Sequence, residues 1–271
     1  MSSRIEKTFK ELKLKGKSAF IPYITAGDPD IGLSQKILNA LPRGGADIIE
    51  IGMPFSDPMA DGPAIQQSSL RALSNGQDMK RTLSMVKEFR IQNDHTPIIL
   101  MGYYNPILQF GTENFLKECT LMEIDGLIVV DLPIEHGQEL SIPAKKAGID
   151  FINFITPTTS SERLQSIIKV SSGFLYYVSI AGITGTKAPE VKELEDIVNK
   201  IKKYTNIPIG VGFGIKDSDQ VKNISKFSDA VVIGSAIVNQ IKDLKKQNLN
   251  DDDLVESLIN FILNLSSGLN N

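Results

Sequence analysis

One glutamate interrupts an otherwise apolar run, Ile48-Ile49-Glu50-Ile51-Gly52. A carboxyl taken out of water favours its neutral form, so its pKa rises, which suits a proton donor or shuttle near neutral pH. By position alone, a structural Glu50 paired with a lysine fits equally well. The segment that follows, Met53-Pro54-Phe55-Ser56-Asp57-Pro58-Met59-Ala60-Asp61-Gly62-Pro63, is long and holds three prolines. Loops between a strand and the next helix usually take about 2 to 6 residues. Length and proline content point to a shaped functional loop that offers two more carboxylates, Asp57 and Asp61. Either could do chemistry or cap the next helix.

Three later segments carry glycine: Ala181-Gly182-Ile183-Thr184-Gly185-Thr186, Gly210-Val211-Gly212-Phe213-Gly214-Ile215 and Val232-Ile233-Gly234-Ser235-Ala236-Ile237. Glycine lets backbone N–H groups approach phosphate oxygens, and a helix opening at Ser235 adds positive potential. The last two segments, one strand–helix unit apart, are expected to hold a phosphate; tight turns without a ligand are the alternative. Other candidates are weaker. His95 and His136 have no second His or Cys at metal spacing, so no metal site is expected. Cys119 falls among helix-spaced apolar residues and reads as packing. Asp131 is either a site carboxylate or a cap. Of Tyr176 and Tyr177, adjacent on one strand, one must face inward.

The elements that would position these groups alternate along the whole chain. Short Ile/Val-rich runs at 18–25, 46–51, 97–102, 126–131, 151–156, 174–179, 207–212 and 230–234 read as strands buried on both faces of a parallel sheet. Helix-length segments lie between them; in 191–204, residues Val191, Leu194, Ile197, Val198 and Ile201 share a face. Asp28-Pro29, Ser160 and Asp217 read as helix starts. No linker, repeat or change of composition divides the chain. The expectation is one α/β domain over residues 1–271, a (β/α)8 TIM barrel with its reacting groups at the C-terminal strand ends. Ile5, Phe9 and Leu12 predict an extra helix, 2–14, plugging the N-terminal mouth. A last helix is expected over about 251–265, with 266–271 frayed. An open doubly wound sheet is the competing fold, but Tyr23-Ile24-Thr25-Ala26-Gly27-Asp28 is not its usual glycine fingerprint.

Bulk properties narrow the function. A net charge of −3 without a basic stripe argues against nucleic acid as a partner. One cysteine excludes an internal disulfide and a thiolate metal site. No stretch reaches the roughly 18 to 20 apolar residues of a membrane span, and 1–17, rich in Lys and Glu, does not read as a signal or transit peptide. The expected location is cytoplasmic, with plastid stroma as the alternative.

Pro-Phe-Ser-Asp-Pro-x-Ala-Asp-Gly-Pro after an x-Glu-x-Gly strand end, spanning Glu50 to Pro63, resembles the signature of tryptophan synthase alpha subunits. Thr25-Ala26-Gly27-Asp28-Pro29, Met101-Gly102-Tyr103-Tyr104-Asn105-Pro106, Asp131-Leu132-Pro133, Ala181 to Gly185, Gly212 to Ile215 and Gly234 to Ile237 fall in the same order, over nearly the whole chain. The resemblance implies cleavage of indole-3-glycerol phosphate to indole and glyceraldehyde 3-phosphate, with Glu50 and Asp61 as the catalytic pair. It implies phosphate binding by Gly185, Phe213, Gly214, Gly234 and Ser235. It implies a substrate pocket of Tyr23, Met101, Ile128, Ile155, Tyr176 and Thr184. Lys187 stands where many members carry Arg. The implied partner is a beta subunit in an alpha2beta2 tetramer, docked through Pro54, Asp57, Asn105 and Pro133. Pyridoxal phosphate would reside in that partner, and this chain would carry no cofactor. A stand-alone lyase releasing free indole and a catalytically silent, partner-activating barrel are the alternatives. Phosphoribosylanthranilate isomerase would want a Cys near the end of the first strand. Indole-glycerol-phosphate synthase would want inward-facing lysines. The first four strand segments contain neither.

Overall fold

The computed structural model describes residues 3–178, 190–212 and 214–270. Among these described residues nine strands appear in chain order: β1 (Ala19–Thr25), β2 (Ile49–Gly52), β3 (Ile98–Gly102), β4 (Gly126–Val129), β5 (Asp150–Phe151), β6 (Asn153–Ile155), β7 (Leu175–Val178), β8 (Ile209–Gly212) and β9 (Ala230–Ile233). All pair in parallel, in the order β5-β4-β3-β2-β1-β9-β8-β7-β6. The two ends of that order, β5 and β6, are one stretch of chain divided at Ile152. Its first half pairs with β4 and its second with β7, and the Ile152 N–H still donates to Leu127 at 3.0 Å. The sheet therefore closes on itself as an α/β TIM barrel. Where the apolar run suggests one strand over 151–156, two short ones form, because this stretch hands over from one neighbour to the other.

Alternation along the strands sorts the core into two layers. Ala19, Ile21, Ile99, Ile128, Ile152, Phe174, Tyr176, Ala230 and Val232 fill the lumen. Phe20, Ile24, Ile49, Ile51, Leu100, Leu127, Phe151, Ile155, Leu175, Tyr177 and Val231 pack outward against the helices. Tyr176 is thus the inward one of the tyrosine pair. Cys119, in helix Thr112–Leu121, is buried in the outer layer.

The helix Arg4–Leu14 puts Ile5, Phe9 and Leu12 into the lower lumen, with the Phe9 ring 5.8 Å from that of Phe174. Ser3 caps it, accepting from the Glu6 N–H and donating to Asp150 at 2.7 Å. Arg4 reaches Glu123 and Asp125, the second at 3.0 Å, and Arg90 holds Asp125 at 2.6 Å. The N-terminal mouth is closed as the apolar spacing predicts, by a helix that starts at Arg4 after its Ser3 cap, two residues later than the expected 2–14.

Three expectations need correction. Asp28 does not start a helix. The Asp28-Pro29 bond is cis, Asp30 caps helix Ile31–Ala40, and Asp28, 2 % exposed, takes a two-pronged ion pair from Arg71 at 2.7 and 2.9 Å. Residues 266–270 do not fray. Helix Asp251–Ser267 runs past 265, and Ser266 donates to the Gly44 carbonyl at 3.0 Å. Val191 shares the face of Leu194, Val198 and Ile201 in helix Val191–Lys202, but in the first turn it is 42 % exposed, so that face is buried only from Leu194 onward. Ser160 and Asp217 do cap their helices, accepting from Arg163 and Gln220.

Candidate active site

Glu50 lies on β2, in register with Tyr23 on β1 and Ile99 on β3. All three project into the lumen, and Glu50 is 1 % exposed. Its Oε2 has no hydrogen-bond partner, and among the described residues no ion pair reaches it. The lysine-paired alternative is therefore absent there. Burial, and next to it the charge of Asp61, push the Glu50 carboxyl up to about 8. Such a group is protonated at neutral pH.

Asp61 approaches from the loop after β2. Its backbone is fixed at both ends: the N–H donates to Pro58 at 3.0 Å and the carbonyl accepts from the Gln66 side chain at 2.9 Å. The next helix, Pro63–Ser74, has Gly62 at its N-cap and no side-chain cap. Asp61 is thus free of the capping role. Burial pushes its carboxyl up to about 6, with the Tyr103 hydroxyl opposing the rise. Two carboxyls in electrostatic contact, one neutral and one ionised at pH 7, can serve as an acid and a base.

Tyr103, to which the sequence motifs assign no role, stands against Asp61. It is 3 % exposed. Its hydroxyl accepts from the Ala60 N–H at 3.0 Å, and its ring stands 5.4 Å from that of Phe55. It therefore touches the long loop near both ends. Its own position is set from β4: Asp131 accepts from the Tyr104 N–H at 2.7 Å, at the start of helix Tyr104–Phe110. Asp131 is thus a cap, supplied by a neighbouring loop.

The lumen walls come from Tyr23, Met101, Ile128 and Tyr176, with Met101 and Ile128 in register. Ile155 is not among them. The chain alternates inward and outward from Ile152, so Ile155 joins the outer layer and Phe154 takes the lumen position, its ring 5.2 Å from that of Tyr176. Two glycines make room for the phenols. A Cβ on Gly52 would collide with the Tyr23 hydroxyl, and one on Gly212 with the Tyr176 hydroxyl. The spacing x-Glu-x-Gly carries that signal, but it is readable only once the facing tyrosine is known.

On the far side, β8 and β9 are neighbours with Gly212 opposite Val232, so the turns bearing Gly214 and Gly234 are adjacent. Gly214 has a φ of +44°, with nothing within 4 Å of where a Cβ would stand. Gly234 precedes helix Ser235–Lys245, which has no side-chain cap, and Ser235 is exposed. Open N–H groups at an uncapped helix start are suited to an anion. Thr184, Gly185, Lys187 and Phe213 lie outside the described residues. Pro54, Asp57, Asn105 and Pro133 follow β2, β3 and β4, three consecutive strands, and so share one side of the upper rim. Pro54 is half-buried and the other three are exposed.

Residues 9–263 match the family model described as tryptophan synthase alpha chain. Over its whole length the chain is similar to tryptophan synthase subunit alpha from Legionella pneumophila str. Paris, at 36 % identity and a TM-score of 0.93, covering 100 % of both chains. It is also similar to a chain of tryptophan synthase from M. tuberculosis, solved in an open form with BRD0059 bound, at 28 % identity, 98 % coverage of each chain and a TM-score of 0.87. A family match across almost all of the barrel leads to one conclusion: the chain belongs to the tryptophan synthase alpha chain family, a family of lyases.

Proposed function

We propose that this chain cleaves indole-3-glycerol phosphate to indole and glyceraldehyde 3-phosphate. The observation that carries the reading is the unpartnered, buried Glu50 carboxyl, neutral at pH 7 beside an ionised Asp61. Indole is a poor carbanion leaving group, so C3 must be protonated before the carbon–carbon bond breaks. Protonated Glu50 supplies that proton. Positive charge then develops at the ring N1–H, and the Asp61 carboxylate accepts its hydrogen bond and stabilises the charge. The bond between C3 and C3′ breaks with its electron pair returning to the ring. The C3′ hydroxyl gives its proton to the Glu50 carboxylate as the aldehyde forms, which restores the acid. The phosphate is held by Gly185, Phe213, Gly214, Gly234 and Ser235, so that binding at the far end orients the reacting carbon.

Pro54, Asp57, Asn105 and Pro133 are read as the docking rim for a beta subunit, in an alpha2beta2 tetramer whose pyridoxal phosphate belongs to that partner. The deciding assay measures indole released from indole-3-glycerol phosphate, with and without a beta subunit. Release by the isolated chain, increased by the partner, is expected. No indole under either condition overturns the reading. Full activity alone, with no co-elution of the two chains, assigns a stand-alone lyase.

A further inference from the structure

Tyr23 belongs to a row of hydroxyls whose polarity is set from one end. Ser68 donates to the Ile65 carbonyl at 2.7 Å. A hydroxyl has one proton, so Ser68 can only accept from Thr25, whose Oγ1 lies 2.6 Å away. Thr25, having donated, accepts from the Tyr23 hydroxyl at 3.3 Å. Tyr23, Thr25 and Ser68 are 6 %, 1 % and 0 % exposed, so bulk water does not compete for these bonds. The phenol oxygen therefore presents only lone pairs to the lumen. It stands over Gly52, where the missing side chain leaves it space, on a strand in register with Glu50. Burial first, then the Asp61 and Glu50 carboxyls, keep the phenol protonated by holding its pKa well above the usual value.

We propose that the Tyr23 hydroxyl is a substrate-reading group: locked as an acceptor by Thr25, Ser68 and the Ile65 carbonyl, it takes a hydrogen bond from a hydroxyl on the three-carbon chain of the substrate. The inference rests on the reading of the site above. There the ring N–H goes to Asp61, while the carbon bearing the reacting hydroxyl lies against Glu50, the register partner of Tyr23. A pocket built around such an acceptor discriminates against a ligand that lacks the donor, because its lone pair would be left unmatched.

The test compares wild type, Y23F, S68A and the double variant. It reads kcat/KM for indole-3-glycerol phosphate and Kd for the analogue in which both chain hydroxyls are replaced by hydrogen. Tyr23→Phe is expected to lower kcat/KM ~tenfold, the worth of one buried hydrogen bond. Its Kd for the deoxy analogue should stay within about twofold of wild type or tighten, since that ligand has no donor to lose. Ser68→Ala releases the Thr25 proton and lets the phenol turn its own proton inward. It should lower kcat/KM several-fold alone and have no further effect in the Y23F protein. Equal losses for substrate and analogue would make Tyr23 a packing residue and overturn the proposal. So would independent, multiplying effects of the two substitutions, or an unchanged kcat/KM in Y23F. A wild type that makes no indole overturns the reading of the site together with this proposal; a wild type that makes indole confines any failure to Tyr23.

Discussion

Glu50→Gln should stabilise the fold while abolishing the reaction. In the unfolded chain a glutamate titrates near its ordinary value of 4.5, whereas burial and Asp61 hold the folded group at about 8. Between those values the native state keeps a proton that the unfolded state has lost, so stability falls as pH rises. Each pH unit across that interval costs ~1.36 kcal/mol. The accumulated cost is ~3 kcal/mol at pH 7 and ~5 kcal/mol above pH 8. Glutamine has the same shape and does not ionise, so it removes this cost. For a chain of this length 1 kcal/mol moves the melting temperature by ~2 °C. The variant should therefore melt within a few degrees of wild type at pH 5 and ~10 °C above it at pH 9. The assay is a thermal melt of both proteins at pH 5, 7 and 9, beside an indole-release measurement. A melting difference that stays constant across pH, or a variant that retains turnover, would refute the argument that an uncompensated buried carboxyl is kept here for proton transfer.

The pH profile of kcat/KM should be bell-shaped, rising through about 6 as Asp61 ionises and falling through about 8 as Glu50 loses its proton. In Tyr103→Phe the hydroxyl that favours ionised Asp61 is gone, so the acidic limb should move to higher pH while the basic limb stays; an unmoved acidic limb would remove Tyr103 from the account. Asp61→Asn should abolish indole release yet leave the Kd of the deoxy analogue within a few-fold, as measured by calorimetry. Arg71→Ala leaves Asp28 buried without its partner, and denaturant titration should show a loss of ~3 kcal/mol.

The periodic parts of the fold were readable because one physical rule governs them: strands buried on both faces must be apolar throughout, which made the runs ending at Thr25, Gly52 and Gly102 conspicuous. Glu50 stood out for the same reason, as a charge inside such a run. Where tertiary contacts override local pattern, the reading failed. Asp28 before a proline looks like a cap, but Arg71, distant in sequence, claims it. Ile155 and Phe154 are both apolar, and the inward one is decided by the hand-over at Ile152 between two neighbouring strands. Ser266 was expected to fray because no local signal reports the Gly44 carbonyl it meets. Tyr103 carries no mark of its own in sequence. Its importance comes from the Ala60 N–H and from Asp131, which the barrel brings to it.

The helix that packs Ile5, Phe9 and Leu12 into the lower lumen fills its floor with apolar side chains. If the proposed cleavage takes place above them, its products would leave by the rim through which the substrate entered. The traffic of product is then governed by whatever sits over that rim. A partner seated there would decide whether indole escapes into solution or is delivered onward, without altering any group that performs the cleavage.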